Sequence, residues 1–228
     1  MINMRKDYVE CGDCLELMKN VPSKSVDTVF TSPPYNRKRN DKYSFYDDTI
    51  DNYFDFLCKF TDEALRVAKN HVIINIQKNY YNKVEVFEYI GKYAKNIVEI
   101  IVWEKTNPMP ANGFNITNAY EFFIILGDKS LKSNNTYTKN VITTSVNVNK
   151  DKKIHKAVMK KEVCDWFITN FTKEGDVILD PFAGLGTTAI SCIENNRHYI
   201  CFEISEQYYN VCCDRLLKAK NILNQANA

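Results

Sequence analysis

No apolar run in this 228-residue chain reaches the ~18 residues of a membrane-span candidate. Its start, Met1-Ile-Asn-Met-Arg-Lys-Asp7, is too polar for a secretory signal, so a cytoplasmic location without membrane attachment is the expectation. There is no second CxxC to partner Cys11-Gly-Asp-Cys14, and neither Cys212-Cys213 nor His198 completes a ligand set at zinc-site spacing. No metal is expected. The eight cysteines, in a chain large enough to build its own core, are expected as reduced, partly buried thiols. A GxGxxG dinucleotide fingerprint and a phosphate-loop lysine are both missing. Charge of one sign is missing too: 30 basic and 28 acidic residues leave a net +2, so bulk charge does not announce a nucleic-acid partner. Neither an internal repeat nor a dividing linker is visible, and residues 1–228 read as a single domain.

What is present is an alternation of two patterns. Short β-branched or aromatic runs begin at Tyr8, Val26, His71, Ile97, Tyr120, Asp176 and His198, giving seven candidate strands. Several are apolar at successive positions, as in strands buried on both faces. Between them, residues 51–69 place Tyr53, Phe56, Leu57, Phe60, Ala64 and Ala68 on one helical face. Met159, Val163, Trp166, Phe167 and Phe171 do the same in residues 156–171, and Ser205 is a natural N-cap for a last helix presenting Tyr208, Cys212, Leu216, Ala219 and Leu223. Such alternation predicts a mostly parallel, helix-covered sheet. Two polar stretches, 36–49 and 129–153, break the rhythm, and loops of that length are functional or disordered.

Two local strings carry chemistry. In Asp180-Pro-Phe-Ala-Gly-Leu-Gly-Thr-Thr188, a strand runs into a glycine turn and then a helix, and Gly184 and Gly186 allow a cofactor close to bare backbone. In Thr31-Ser-Pro-Pro-Tyr-Asn36, two prolines stiffen the chain after a strand and remove competing N–H donors beside the Pro33 carbonyl. In this order the two strings resemble the permuted, beta-class amino-group DNA methyltransferases, most nearly the cytosine-N4 type with its Ser-Pro-Pro-Tyr motif.

The resemblance implies a Rossmann-like α/β fold of seven mostly parallel strands, antiparallel near Tyr120–Leu126, with helices on both faces. It implies S-adenosyl-L-methionine as cofactor, with Asp180, Pro181, Phe182, Ala183, Gly184, Gly186, Thr187 and Thr188 forming its turn. Asp180 would orient the turn or the methionine amine. Glu203, 23 positions further on at a strand end, would hold the ribose hydroxyls. Asp13 and Cys14 would lie beside the adenine, Asp13 being an N-cap candidate as well. His155 would open a helix near the methionine end, although Lys156 stands where the family has proline.

Ser32, Pro33, Pro34 and Tyr35 would form the catalytic tetrad. The Ser32 side chain and the Pro33 carbonyl accept hydrogen bonds from the target amine, and Tyr35 offers a ring for an extruded base. Arg37, Lys38, Arg39 and Lys42 follow as phosphate contacts. Trp103, Lys105, Asn107 and Pro108 would wall the base pocket, with Glu121 at the start of a strand. Cytosine-C5 chemistry needs a Pro-Cys nucleophile, and the sequence has none. The leading expectation is therefore cytosine-N4 methylation of double-stranded DNA beside a cognate restriction endonuclease. Target recognition falls to 36–49 and 129–153, or to a second copy or modification subunit. Adenine-N6 methylation is the alternative; RNA or protein methylation and a non-catalytic cofactor-binding subunit are more distant ones.

Overall fold

In a computed structural model, residues 4–37, 47–108, 116–130, 132–145 and 158–226 are described. The chain runs β1 (Tyr8–Cys11), α1 (Cys14–Met18), β2 (Val26–Thr31), α2 (Tyr53–Val67), β3 (Ala68–Ile76) and α3 (Lys83–Tyr93). It continues through β4 (Ile97–Lys105), β5 (Tyr120–Gly127), β6 (Val141–Thr144) and α4 (Lys161–Phe171). It ends with β7 (Val177–Asp180), α5 (Thr187–Glu194), β8 (His198–Glu203) and α6 (Glu206–Ala226).

These strands form one sheet in the order β1-β8-β7-β2-β3-β5-β4-β6. Only β5 runs against its neighbours β3 and β4; every other pairing is parallel. The fold is the expected α/β architecture, a mostly parallel sheet with helices on both faces, with a correction of seven strands to eight among the described residues. The additional β6 lies inside the stretch read as a polar loop, because Val141-Ile-Thr-Thr144 is too short a β-branched run to stand out among its polar neighbours. Residues 132–145 are also tied down elsewhere: Asn134 donates from its side chain to the carbonyls of Thr169 and Thr172 at the end of α4.

Successive residues of the central strands serve opposite faces. Val29, Val72, Ile74 and Leu126 pack with Leu57, Phe60, Ala64, Val86 and Tyr89 of α2 and α3. Phe30, Ile73, Phe123 and Ile178 pack with Val163, Phe167, Ala189 and Leu216 of α4, α5 and α6. That two-sided burial is why these strands are apolar at every position rather than alternately. Each large side chain so removed from water contributes roughly 1.5–3 kcal/mol. The last helix starts where Ser205 caps it, accepting from the Tyr208 N–H at 3.4 Å.

The sheet order places one feature above the others. From β2 the chain continues to β3 on one side, whereas from β7 it continues to β8 on the other, and β2 and β7 are neighbours. The crevice outside their carboxyl ends is the topological switch point, where open α/β sheets bind ligands. Both chemical strings of the sequence begin there.

Candidate active site

At the end of β7, Asp180 is 3% exposed, and Oδ1 accepts from the Thr31 hydroxyl at 2.6 Å and from the Phe182 N–H at 3.1 Å. Burial pushes its pKa up, against the opposing effect of hydrogen bonds from Thr188, Thr31 and Phe182. The Thr31 bond ties the two neighbouring strand ends together. Phe182 anchors the turn from below, edge-on to Phe60 with centroids 5.0 Å apart, while the Ala183 N–H donates to Phe202 O at 2.9 Å. Thr187 and Thr188 are buried in the first turn of α5. Asp180, Phe182 and Thr188 therefore shape the turn.

Gly186 has φ +75°, and a Cβ there would lie 2.4 Å from Cys212 Sγ. The position needs glycine for both conformation and space. Glu203, at the end of β8, accepts the Gly184 N–H on Oε2 at 2.7 Å and the Ser205 N–H on Oε1 at 2.9 Å. A carboxylate has about four acceptor sites, so Glu203 keeps accepting capacity beyond its backbone donors Ser205, Gly184 and Ile204. Burial raises its pKa, offset by those backbone donors. Asp13 caps α1, accepting from the Leu15 and Glu16 N–H groups, and the neighbouring Gly12 N–H donates to Glu203 O at 2.9 Å. Cys14 is buried at the start of α1, and burial pushes its thiol up to about 12.

The Ser32–Tyr35 segment follows β2 on the adjacent strand end. Three neighbouring segments hold it. The Tyr53 hydroxyl donates to Pro34 O at 2.8 Å, and the Asn79 and Asn82 side chains donate to Tyr35 O at 2.8 and 2.7 Å. Asp48 accepts the Asn36 and Arg37 N–H groups at 2.8 and 3.2 Å. Tyr35 itself differs from the open stacking plate expected from sequence. The residue is 8% exposed, and the Arg37 guanidinium lies 5.4 Å from its ring centroid while also reaching Gln77. Burial and the nearby Glu121 charge push the Tyr35 hydroxyl pKa well up. A compact side-chain network surrounds that hydroxyl: Ser32 at 2.7 Å, Asn75 at 2.6 Å and Glu121 at 3.2 Å, with Lys105 paired to Glu121.

The sequence-predicted residues thus divide. The structure brings Ser32, Pro33, Pro34, Tyr35, Asp180, Gly184, Gly186 and Glu203 to one sheet edge, at the ends of β2, β7 and β8. His155, Lys38, Arg39 and Lys42 lie outside the described residues. Trp103 is a core residue rather than an open pocket wall; it is 5% exposed, and its indole N–H donates to Thr144 at 2.9 Å. Sequence reasoning missed Asn75, Gln77, Asn79 and Asn82. Their one visible signal is three asparagines within eight residues where an apolar strand ends.

Among the described residues no group of three or more His, Cys, Asp or Glu could hold a metal, and no helix is long and apolar enough to cross a membrane. All eight cysteines are free, and six are buried.

The comparisons with known proteins agree with this geometry. The type II methyltransferase M.HinfI of Haemophilus influenzae is 28% identical over 243 residues, spanning 92% of this chain and 68% of that protein. M.BamHI of Bacillus amyloliquefaciens, also a type II methyltransferase, is 29% identical over 231 residues, spanning 85% of this chain. The chain covers 53% of M.BamHI, about half its length. Among solved structures, the cytosine-N4-specific PvuII DNA methyltransferase matches with a TM-score of 0.78 at 18% identity, covering 97% of this chain and 93% of that one. The M1.HpyAVI–SAM complex matches at 0.65 and 20% identity, covering 91% and 98%. At such identities these structures speak for the fold. The family described as DNA methylase (N6_N4_Mtase) matches residues 26–213, from the first residue of β2 well into α6. Both the Ser32–Tyr35 and the Asp180–Thr188 strings fall inside that match, and the chain belongs to this DNA methylase family.

Proposed function

We propose that the chain is a DNA (cytosine-N4)-methyltransferase using S-adenosyl-L-methionine. The observation that carries this reading is the Thr31–Asp180 bond, which fixes the proline motif of β2 beside the glycine turn of β7 at the switch point. One string suits a cofactor approached by backbone, the other an exocyclic amine, and a group-transfer enzyme needs the two side by side.

The chain's residues fit the cofactor. The Gly184–Gly186 turn lacks side chains at two positions and so admits close approach, and Glu203 stands beside it as acceptor for ribose hydroxyls. Asp13 and Cys14 stand at the neighbouring end of β1 for the adenine side, and His155 is assigned to the methionine end. When bound, S-adenosylmethionine supplies an electrophilic methyl group. The protein's part is the amine. A cytosine N4 lone pair is delocalised into the ring, so Ser32 Oγ and the Pro33 carbonyl accept hydrogen bonds from its N–H groups and let the nitrogen pyramidalise as it attacks, and the proton it sheds on methylation leaves to solvent. Asn79, Asn82 and Tyr53 keep this segment from moving during transfer, since three side-chain donors hold two consecutive carbonyls. Arg37 covers the Tyr35 ring and is displaced as an extruded base stacks there, freeing its guanidinium for phosphate beside Lys38, Arg39 and Lys42.

Cytosine is favoured over adenine by serine at the head of the tetrad. Residues 1–228 act as one methyltransferase domain, with target recognition by 36–49 and 129–153. Duplex DNA as substrate, work beside a cognate endonuclease in a restriction-modification pair, a cytoplasmic location and possible pairing with a second copy or modification subunit complete the proposal. The test is to incubate the purified chain with unmethylated genomic DNA and S-adenosylmethionine, then digest to nucleosides. N4-methylcytosine is expected; N6-methyladenine as sole product would move the assignment to adenine, and methylated RNA or protein without DNA would overturn it.

A further inference from the structure

Counting protons around Ser32 limits which way its hydroxyl points. Asn75, near the end of β3, is 1% exposed, and its Nδ2 donates to Phe122 O at 3.2 Å. A carbonyl can only accept, so the amide orientation is set and Oδ1 faces the tetrad. That oxygen lies 2.6 Å from Tyr35 Oη and 3.3 Å from Ser32 Oγ. Glu121, held by Lys105, brings a second acceptor to 3.2 Å from the same phenol. Burial keeps Tyr35 protonated, so its hydroxyl and that of Ser32 have two protons to place among the buried acceptors Asn75 Oδ1 and Glu121 Oε2 and each other. In their 2.7 Å contact either hydroxyl can donate: when the phenol points to Asn75 or Glu121 the serine proton goes to Tyr35, and when the phenol points to Ser32 the serine proton goes to Asn75 Oδ1. Ser32 is left with lone pairs alone.

We infer that Asn75 is a positioning residue for methyl transfer: acting with Glu121 through the Tyr35 hydroxyl, it makes Ser32 an obligate acceptor for the target amine. The inference rests on the proposed amine methylation and adds the device that removes serine's freedom to donate. A carboxamide takes up no proton at neutral pH, so Asn75 orients and does not relay. Its contribution passes entirely through two hydroxyls.

The experiment is single-turnover methylation of unmethylated genomic DNA by Ser32→Ala, Asn75→Leu, Asn75→Asp, Tyr35→Phe and the double variants with Ser32→Ala. Asn75→Leu and Tyr35→Phe each lose one neutral hydrogen bond's worth of orientation, about threefold to tenfold in rate. In the Ser32→Ala background neither adds further loss, because the group they orient is gone. Asn75→Asp keeps an acceptor towards Tyr35 and recovers rate over Asn75→Leu; a merely structural carboxamide would give no such recovery. Should Asn75→Leu fail to fold, Tyr35→Phe carries the same cycle with its ring in place. Wild-type rates in Asn75→Leu and Tyr35→Phe, or losses that simply multiply with Ser32→Ala, overturn the inference while leaving the tetrad intact. An unaffected rate in Ser32→Ala overturns the proposed amine chemistry instead, and the two failures are distinct.

Discussion

Replacing Asp180 separates a side chain that holds a turn from one that holds a ligand. Asp180→Ala removes the acceptor for three donors, the Thr31 and Thr188 side chains and the Phe182 N–H, at a site 3% exposed. A buried donor left without a partner costs about 1–3 kcal/mol, and some of that is returned by no longer burying a carboxylate. A net loss of about 2–4 kcal/mol is expected, a large part of the 5–15 kcal/mol that typically holds a domain. Asp180→Asn keeps the accepting oxygen and sheds the charge, so its loss should stay under about 1 kcal/mol. The two variants also differ from wild type in pH dependence. Burial raises the Asp180 pKa above its ordinary 3.8, so its contribution is full below that value and is lost as pH rises through the folded-state pKa. Wild type should therefore lose stability over that window relative to Asp180→Asn. Urea unfolding followed by tryptophan fluorescence across the acidic range measures both effects. Asp180→Ala unfolding like wild type, or Asp180→Asn as damaged as Asp180→Ala, would refute the reasoning.

Glu203→Ala should weaken S-adenosylmethionine binding by about tenfold to a hundredfold in calorimetric titration, the worth of a charge-assisted hydrogen bond. Ser32→Ala should leave that affinity within about threefold while slowing single-turnover methylation, because Ser32 lies on the amine side of the crevice. Gly186→Ala should destabilise the fold by roughly 1–3 kcal/mol, read by thermal unfolding, since its Cβ meets Cys212 Sγ at φ +75°; adding Cys212→Ala should recover the steric part. His71 is 3% exposed, neither ring nitrogen has a hydrogen-bond partner among the described residues, and burial lowers its pKa from 6.5. Its stabilising contribution is present above 6.5 and lost as pH falls below it, so His71→Leu should flatten stability across that range in denaturant titrations.

Much of this was legible in one dimension. Strands β2, β3, β4, β5 and β8 could be placed from apolar runs at Val26, His71, Ile97, Tyr120 and His198, because strands buried on two faces carry uninterrupted apolar residues. Helix α3 was harder to see: Lys83-Val-Glu-Val-Phe-Glu alternates like a strand, and only Val86, Tyr89 and Tyr93 of the helix are buried. Tertiary packing against α2 overrides the local pattern there. β6 escaped for a different reason, being a four-residue edge strand whose partner β4 lies far back in the chain.

The sequence by itself determined the two local devices. A glycine turn and a proline-stiffened tetrad are properties of consecutive backbone, written where they act, and their order along the chain announces the permuted arrangement. Glu203 was legible too, since it ends the strand after the turn it serves. Only the tertiary structure decided what surrounds them. Pairing β2 with β7 joins Thr31 to Asp180 across 149 positions. Packing β3 and β5 beside β2 brings Asn75 and Glu121, 40 and 86 positions away, onto one tyrosine hydroxyl. Which way the Ser32 proton points follows from acceptors that no local spacing could bring together, because hydrogen-bond direction is set by neighbours in space and not along the chain.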